Sequence, residues 1–329
     1  MTRFRRFAPF AVLFASLVFV RCAAADDNDQ ELFTDPAKAG ADYETQGEYL
    51  GSLQQRDELA LGMQVIALGD GKFDVVVYKN GLPGAGWSRG EDTIKGAVQR
   101  GDDGVVRGEI KGKQVKIADG EVTVTDGAEV YAKLKKADRK SPTLGAKPPE
   151  GATVLFDGSS AEHFNNGKIV QERLLLADCD SKQKLGDHTL HLEFRTPFKP
   201  KARGQARGNS GMYLQSRYEV QVLDSFGLDG KNNECGGIYS IAEPAVNMCL
   251  PPLVWQTYDV EFTAAKYENG KKIANARTTI KHNGVVIHDD LELPNGTPGR
   301  QAEGPEPAPL YLQGHGNPVV YRNIWVVTN

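Results

Sequence analysis

Apolar and polar residues alternate with a period of two along many short runs of the C-terminal half of this chain, the pattern of strands with one buried face. The runs are 189–196, 211–215, 218–224, 257–263, 277–282, 285–288, 310–313 and 319–327, and no helical period lies between them. Asn283-Gly284, set between two of these runs, has the chemistry of a two-residue hairpin turn. Residues 47–134 show a finer version of the same pattern. Runs at 63–68, 73–78, 105–110, 114–117 and 121–124 are separated by Gly69-Asp70-Gly71-Lys72, Lys79-Asn80-Gly81-Leu82, Lys111-Gly112-Lys113 and Ala118-Asp119-Gly120-Glu121. The fold class is therefore all-β: a β-sandwich over 151–329 preceded by a small β-meander domain over 47–134. Three prolines and five basic residues between 135 and 150 mark a linker.

The first 25 residues read as an export signal. Arg3, Arg5 and Arg6 precede an apolar stretch at 7–20 that is short for a membrane span, and Ala23-Ala24-Ala25 offers a cleavage site. Lipidation at Cys22 is the alternative, with Arg21 a poor fit to it. Residues 26–46 form a polar leader. Loss of residues 1–25 removes four arginines and no carboxylate, taking the net charge from −4 to −8. Neither nucleic acid nor an anionic membrane suits such a surface, and no later stretch is apolar enough to span a bilayer. The expected location is periplasmic or secreted. That compartment permits disulfides, and Cys235 and Cys249, around a turn-rich segment, are the expected pair, with Cys179 left as a buried thiol.

Strand parity sorts side chains into faces. Leu190, Leu192 and Phe194 share one face of their run, and His191, Glu193 and Arg195 the other. Met212 and Leu214 point inward, and Asn209, Gly211, Tyr213 and Gln215 outward. Tyr218, Val220 and Val222 take the core side, opposite Glu219 and Gln221. If these runs are sheet neighbours, their polar faces merge into one surface of carboxylates, amides, an arginine, a histidine and a tyrosine, which suits a sugar. The competing reading is a solvated sheet face with cross-strand ion pairs.

Several short motifs occur in order: Leu155-Phe156-Asp157-Gly158, Leu192-Glu193-Phe194-Arg195, Gly208-Asn209-Ser210-Gly211-Met212-Tyr213-Leu214-Gln215, Tyr218-Glu219-Val220-Gln221-Val222-Leu223-Asp224, Gly237-Ile238-Tyr239, Trp255-Gln256-Thr257-Tyr258-Asp259, His282-Asn283-Gly284, Leu312-Gln313-Gly314-His315-Gly316 and Tyr321-Arg322-Asn323-Ile324. In this order and spacing the segment resembles the 3-keto-disaccharide hydrolase family. The resemblance implies a concanavalin-like jelly roll whose substrate is a glycoside already oxidised at carbon 3 by a partner sugar 3-oxidoreductase. His163-Phe164 stands where the family often has Asp-Gly-Trp.

A ketone at carbon 3 acidifies the carbon-2 hydrogen, so a base can remove it and the carbon-1 substituent can leave by elimination. Such chemistry asks for a base, a group to hold the enolate oxygen and an acid for the leaving oxygen. Glu219 and Glu193 are the candidates for base and acid. Arg195, Arg322 and His315 are the candidates for the oxyanion, and Asn209, Tyr213, Gln221 and Tyr239 for orienting hydroxyls. Asp224 has core-side parity and suits a turn cap. No cofactor fingerprint or metal-ligand spacing is present, so none is assigned. A non-catalytic carbohydrate-binding module and a conventional two-carboxylate glycosidase remain as alternatives.

Overall fold

The computed structural model describes residues 31–54 and 56–328. The expected export signal and the start of the leader lie outside the described residues. From Glu31 the leader is anchored rather than loose: Phe33 and Phe198 exchange two backbone hydrogen bonds of 2.9 Å, and Gly40–Thr45 forms one short helix.

Eight strands follow: β1 (Gly47–Leu53), β2 (Arg56–Gly69), β3 (Lys72–Lys79), β4 (Thr93–Arg100), β5 (Val106–Ile110), β6 (Lys113–Ala118), β7 (Glu121–Asp126) and β8 (Glu129–Ala137). They form a meander that closes into a barrel, because β1 pairs with both β2 and β8. The hairpin chemistry explains the reversals. Asp70-Gly71 and Asp119-Gly120 both have positive φ at each central residue, the twist that a two-residue turn between antiparallel strands requires. Alternation then fills the barrel, as in β6, where Val115 and Ile117 are buried and Lys116 is exposed.

The C-terminal half is a two-sheet sandwich. The larger sheet has β9 (Thr153–Phe156), β10 (Leu174–Leu176), β12 (His188–Arg195), β15 (Gln256–Thr263), β16 (Ala276–His282), β17 (Val285–Leu293) and β19 (Val320–Thr328), with the two-residue strand Ile169–Val170 at its edge. The other holds β11 (Cys179–Leu185), β13 (Ser210–Leu214), β14 (Tyr218–Val222) and β18 (Ala308–Leu312), with Phe164–Asn165 at its edge. Leu190, Leu192 and Phe194 from one sheet meet Met212, Leu214, Val220 and Val222 from the other in a single core. Asn283-Gly284 makes the expected turn between β16 and β17. No helix among the described residues is long and apolar enough to cross a membrane.

Cys235 and Cys249 are two buried, neighbouring thiols rather than the expected disulfide. Each sulfur also has a partner besides the other. Cys235 Sγ lies 3.3 Å from the Tyr258 hydroxyl, while Cys249 Sγ donates to the Leu223 and Leu250 carbonyls at 3.5 and 3.4 Å.

Barrel and sandwich share buried side chains. Phe198 and Leu253, from sandwich loops, complete the barrel's core cluster, and Phe226 joins Ile66, Val76, Tyr78 and Leu82 in a second one. Arg207 is buried between them, donating to Asp224 Oδ2 at 2.7 Å and to the Ala67 carbonyl at 3.1 Å. Asp224 thus serves as a buried counter-ion at its strand end.

The segment 138–150 is a strap laid on the larger sheet. Arg139 pairs with Glu48 of the barrel at 2.5 Å. Ser141 Oγ reaches Thr257 Oγ1 at 2.6 Å, Thr143 Oγ1 donates to Asp259 Oδ2 at 2.7 Å, and the Gly145 amide donates to Glu193 Oε1 at 2.6 Å.

Candidate active site

β12 belongs to one sheet, and β13 and β14 to the other, so the three polar faces do not merge. Glu193, His191, Arg195 and Arg322 lie on the outer side of the larger sheet. Glu219, Gln221, Tyr213 and Asn209 lie on the outer side of the smaller one. The apolar residues of both sheets fill the space between. Glu193 and Glu219 therefore cannot act as an acid–base pair on one substrate, and Arg195 and Arg322 cannot reach an enolate formed beside Glu219.

The outer side of the larger sheet is a closed polar network beneath the strap. His191 Nδ1 lies 2.6 Å from Asp259 Oδ1, which makes that nitrogen the donor, and its ring stacks on Trp325 at 5.1 Å. Burial pulls His191 down, but the Asp259 and Glu193 carboxylates outweigh it and leave it raised. Glu193 is 1 % exposed and accepts from Arg322 Nε at 2.6 Å, Asn323 Nδ2 at 3.0 Å and the Gly145 amide. Burial pushes its carboxyl up; the hydrogen bonds overcome this and hold it at about 2. These are the marks of a structural ion. Glu193→Gln is expected to cost about 3 kcal/mol, towards the low end for a buried pair because Arg322 is itself part-exposed. The carboxyl is depressed by folding, so its stabilisation is present above the ordinary carboxylate range and lost as pH falls from there towards 2. Melting curves of wild type and variant should therefore converge in acid, and a constant difference at all pH values would refute this assignment.

The smaller sheet carries a different arrangement. Register sets Tyr213 opposite Glu219 and Gly211 opposite Gln221, with Tyr311 beside Tyr213 on β18. Asn209, Tyr213, Glu219 and Gln221 are only 1–4 % exposed, which rules out a plain solvated face. Around them stand part-exposed Tyr239, Tyr311, Gln313 and Asn317 and exposed His315 and Arg300, so a buried floor has an open rim. Tyr239 reaches this rim because 236–239 runs along the β14 edge, its amide donating to the Glu219 carbonyl at 3.1 Å.

Tyr213 Oη donates to Glu219 Oε2 at 2.8 Å and accepts from Gln313 Nε2 at 3.2 Å. Glu219 Oε1 has no hydrogen bond among the described residues and lies over Gly211. A Cβ there would come within 2.4 Å of it, so glycine is required for the carboxylate to lie flat on the sheet. Burial lifts the Glu219 carboxyl to about 7, against the lowering effect of the Tyr213 hydroxyl. Tyr213 is itself raised, by burial and by the Glu219 charge, and so remains a proton donor. Beside them, Asn209 Nδ2 and Gln221 Nε2 both donate to Gln205 Oε1, at 3.0 and 3.4 Å. Among the described residues Asn209 Oδ1 and Gln313 Oε1 are buried without a partner, which leaves each with free acceptor capacity.

Two cations that strand parity did not single out, Arg300 and Lys199, complete this face. Arg300 salt-bridges Asp180 and holds its guanidinium 3.8 Å above the Tyr311 ring. Lys199, buried, donates to the Ala206 carbonyl at 2.9 Å and to Asn317 Oδ1 at 3.0 Å, on the loop that bears His315. Phe164 lies in the core and does not line this face.

A family model described as a 3-keto-alpha-glucoside-1,2-lyase-like domain matches residues 151–327. The chain belongs to this family. The match covers the sandwich and leaves the barrel outside it. Among solved structures, a protein provisionally named a glycosyl hydrolase, from Parabacteroides distasonis ATCC 8503, is similar at 29% identity with a TM-score of 0.50, covering 55% of this chain and 85% of that one. Two more from that organism, named in the same way, match at 16% and 19% identity, with TM-scores of 0.40 and 0.39. They cover 55% and 54% of this chain and 95% and 99% of their own. No curated protein matches. The family is one of carbohydrate-active domains, and the amides, acceptors and aromatic rings around Glu219 are the groups that such a domain needs.

Proposed function

We propose that this protein cleaves 3-keto-glycosides on the Glu219 face. The observation that carries the reading is the Glu219 carboxyl. It is buried, lifted to about 7, anchored through one oxygen by Tyr213 and left on the other without a hydrogen bond among the described residues. A base of this kind can be ionised near neutrality and still accept a proton from carbon. Glu219 Oε1 takes the carbon-2 proton, and the electron pair is held as an enolate on the carbon-3 oxygen. The pair then returns to form the carbon-1–carbon-2 double bond as the carbon-1–oxygen bond breaks, and the leaving oxygen takes up a proton. Water adding across that double bond completes a net hydrolysis with no change of oxidation state. Once Glu219 has taken the proton, Tyr213 is free to turn its one O–H from the carboxyl to one of the two oxygens, and Arg300 or Lys199 supplies the positive charge that Arg195 and Arg322 cannot.

The substrate requires a separate oxidation at carbon 3, so the protein works after a sugar 3-oxidoreductase, in the exported compartment that the N-terminal segment implies. One assay tests the proposal: incubate the protein with a disaccharide and with its 3-keto form in deuterated water. Release of the leaving sugar from the 3-keto form alone, with deuterium at carbon 2 of the product, is expected. Cleavage of the unoxidised disaccharide would instead mean a conventional glycosidase, and binding without cleavage of either a carbohydrate-binding module.

A further inference from the structure

Arg195 and Arg322, on the sheet away from Glu219, flank one indole. Their guanidinium carbons lie 5.0 and 3.9 Å from the centre of the Trp255 ring. Arg322 has a carboxylate partner in Glu193. Arg195 has none among the described residues: its Nη2 donates only to the Thr34 carbonyl at 3.2 Å and to Gln171 Oε1 at 2.6 Å. Burial and the charge of Arg322 both push Arg195 down, and the Asp35 carboxylate faces it without forming a salt bridge. Glu193 meets the charge of Arg322, but Arg195 is left as a half-buried cation beside a second cation with no carboxylate of its own, an arrangement that a bound anion relieves.

The surroundings indicate how large that anion's carrier is. Arg322 lines a hollow of about 460 Å³, shared with Lys147, Arg173, Asp157 and Glu193. It is far larger than a single inorganic ion and of the size that holds a sugar unit.

We propose that Arg195, Trp255 and Arg322 form a second carbohydrate site, on the sheet opposite Glu219, that takes the carboxylate or sulfate group of an acidic saccharide. Arginine suits this role because its planar fork meets a carboxylate or sulfate with two parallel hydrogen bonds. The site is independent of the chemistry at Glu219, so its failure would leave that chemistry untouched.

The test is titration of the full chain at low ionic strength, followed by calorimetry and tryptophan fluorescence, with a sulfated oligosaccharide, a uronate oligosaccharide, a neutral oligosaccharide and inorganic sulfate. Saturable binding of a charged oligosaccharide is expected, weakened by added salt and weakened about tenfold or more by Arg195→Gln. Trp255→Phe should abolish the fluorescence change, and Glu219→Gln should leave the affinity as it is. The proposal is overturned if neither charged saccharide binds, if Arg195→Gln binds as tightly as wild type, or if inorganic sulfate or the neutral oligosaccharide binds equally well.

Discussion

Glu219→Gln is expected to lower the turnover of a 3-keto-glycoside by about 10²–10⁴-fold, the share of a rate that a positioned base supplies. The variant keeps the shape of the side chain and its place over Gly211 but has no basic oxygen. In the wild type kcat/KM should rise with pH and level off above about 7, because below that value the carboxyl is protonated and cannot accept the carbon-2 proton. This limb should vanish from the residual activity of the variant. Stability should move the other way. A carboxyl raised by folding is most favourable at low pH and loses stability as pH rises from the ordinary carboxylate range through 7. At pH 8 the glutamine variant, with no buried charge, should melt at or above the wild-type temperature. Turnover within a few-fold of wild type would remove Glu219 from the mechanism.

The second large effect is on folding. A chain starting near residue 149 contains every sandwich strand and all the residues proposed for catalysis. It is nonetheless expected to be insoluble or to bind hydrophobic dyes strongly. Phe198, Leu253 and Phe226 would lose the barrel residues that bury them, at roughly 1.5–3 kcal/mol each. Arg207 would lose the Ala67 carbonyl, and Glu193, Asp259 and Thr257 would lose the strap. Together these approach the whole stability of an ordinary domain. A soluble fragment with a sharp melting transition and wild-type activity would show that the sandwich stands alone.

Period-two alternation made the strands and their inner faces legible. Leu190, Leu192, Phe194, Met212, Leu214, Val220 and Val222 all lie in the core as parity requires. Alternation cannot say which strands are neighbours. β12 pairs with β15 and β19, far away in sequence, rather than with β13 or β14, and that choice separates Glu193 from Glu219. Arg300 and Lys199 were missed because they stand on loops, where no period exists to read. The closure of the barrel was hidden for a different reason. In β1, Glu48 is buried and Gly51 packs so tightly that a Cβ would meet the Lys133 carbonyl at 1.9 Å, so the strand lacks the apolar alternation that would reveal it. The strap was read as a linker on composition alone, and its polar residues turned out to be hydrogen-bonding partners of the sheet beneath.

Phe198 and Leu253 also set an order of events in time. Synthesis delivers all eight barrel strands by residue 137, long before the side chains that complete the barrel's core. A nascent chain at that stage holds a barrel filled by its own strands but with two core positions still open. Full protease resistance of the barrel is expected only once residue 253 has emerged, so the half of the protein made first is finished by the half made last.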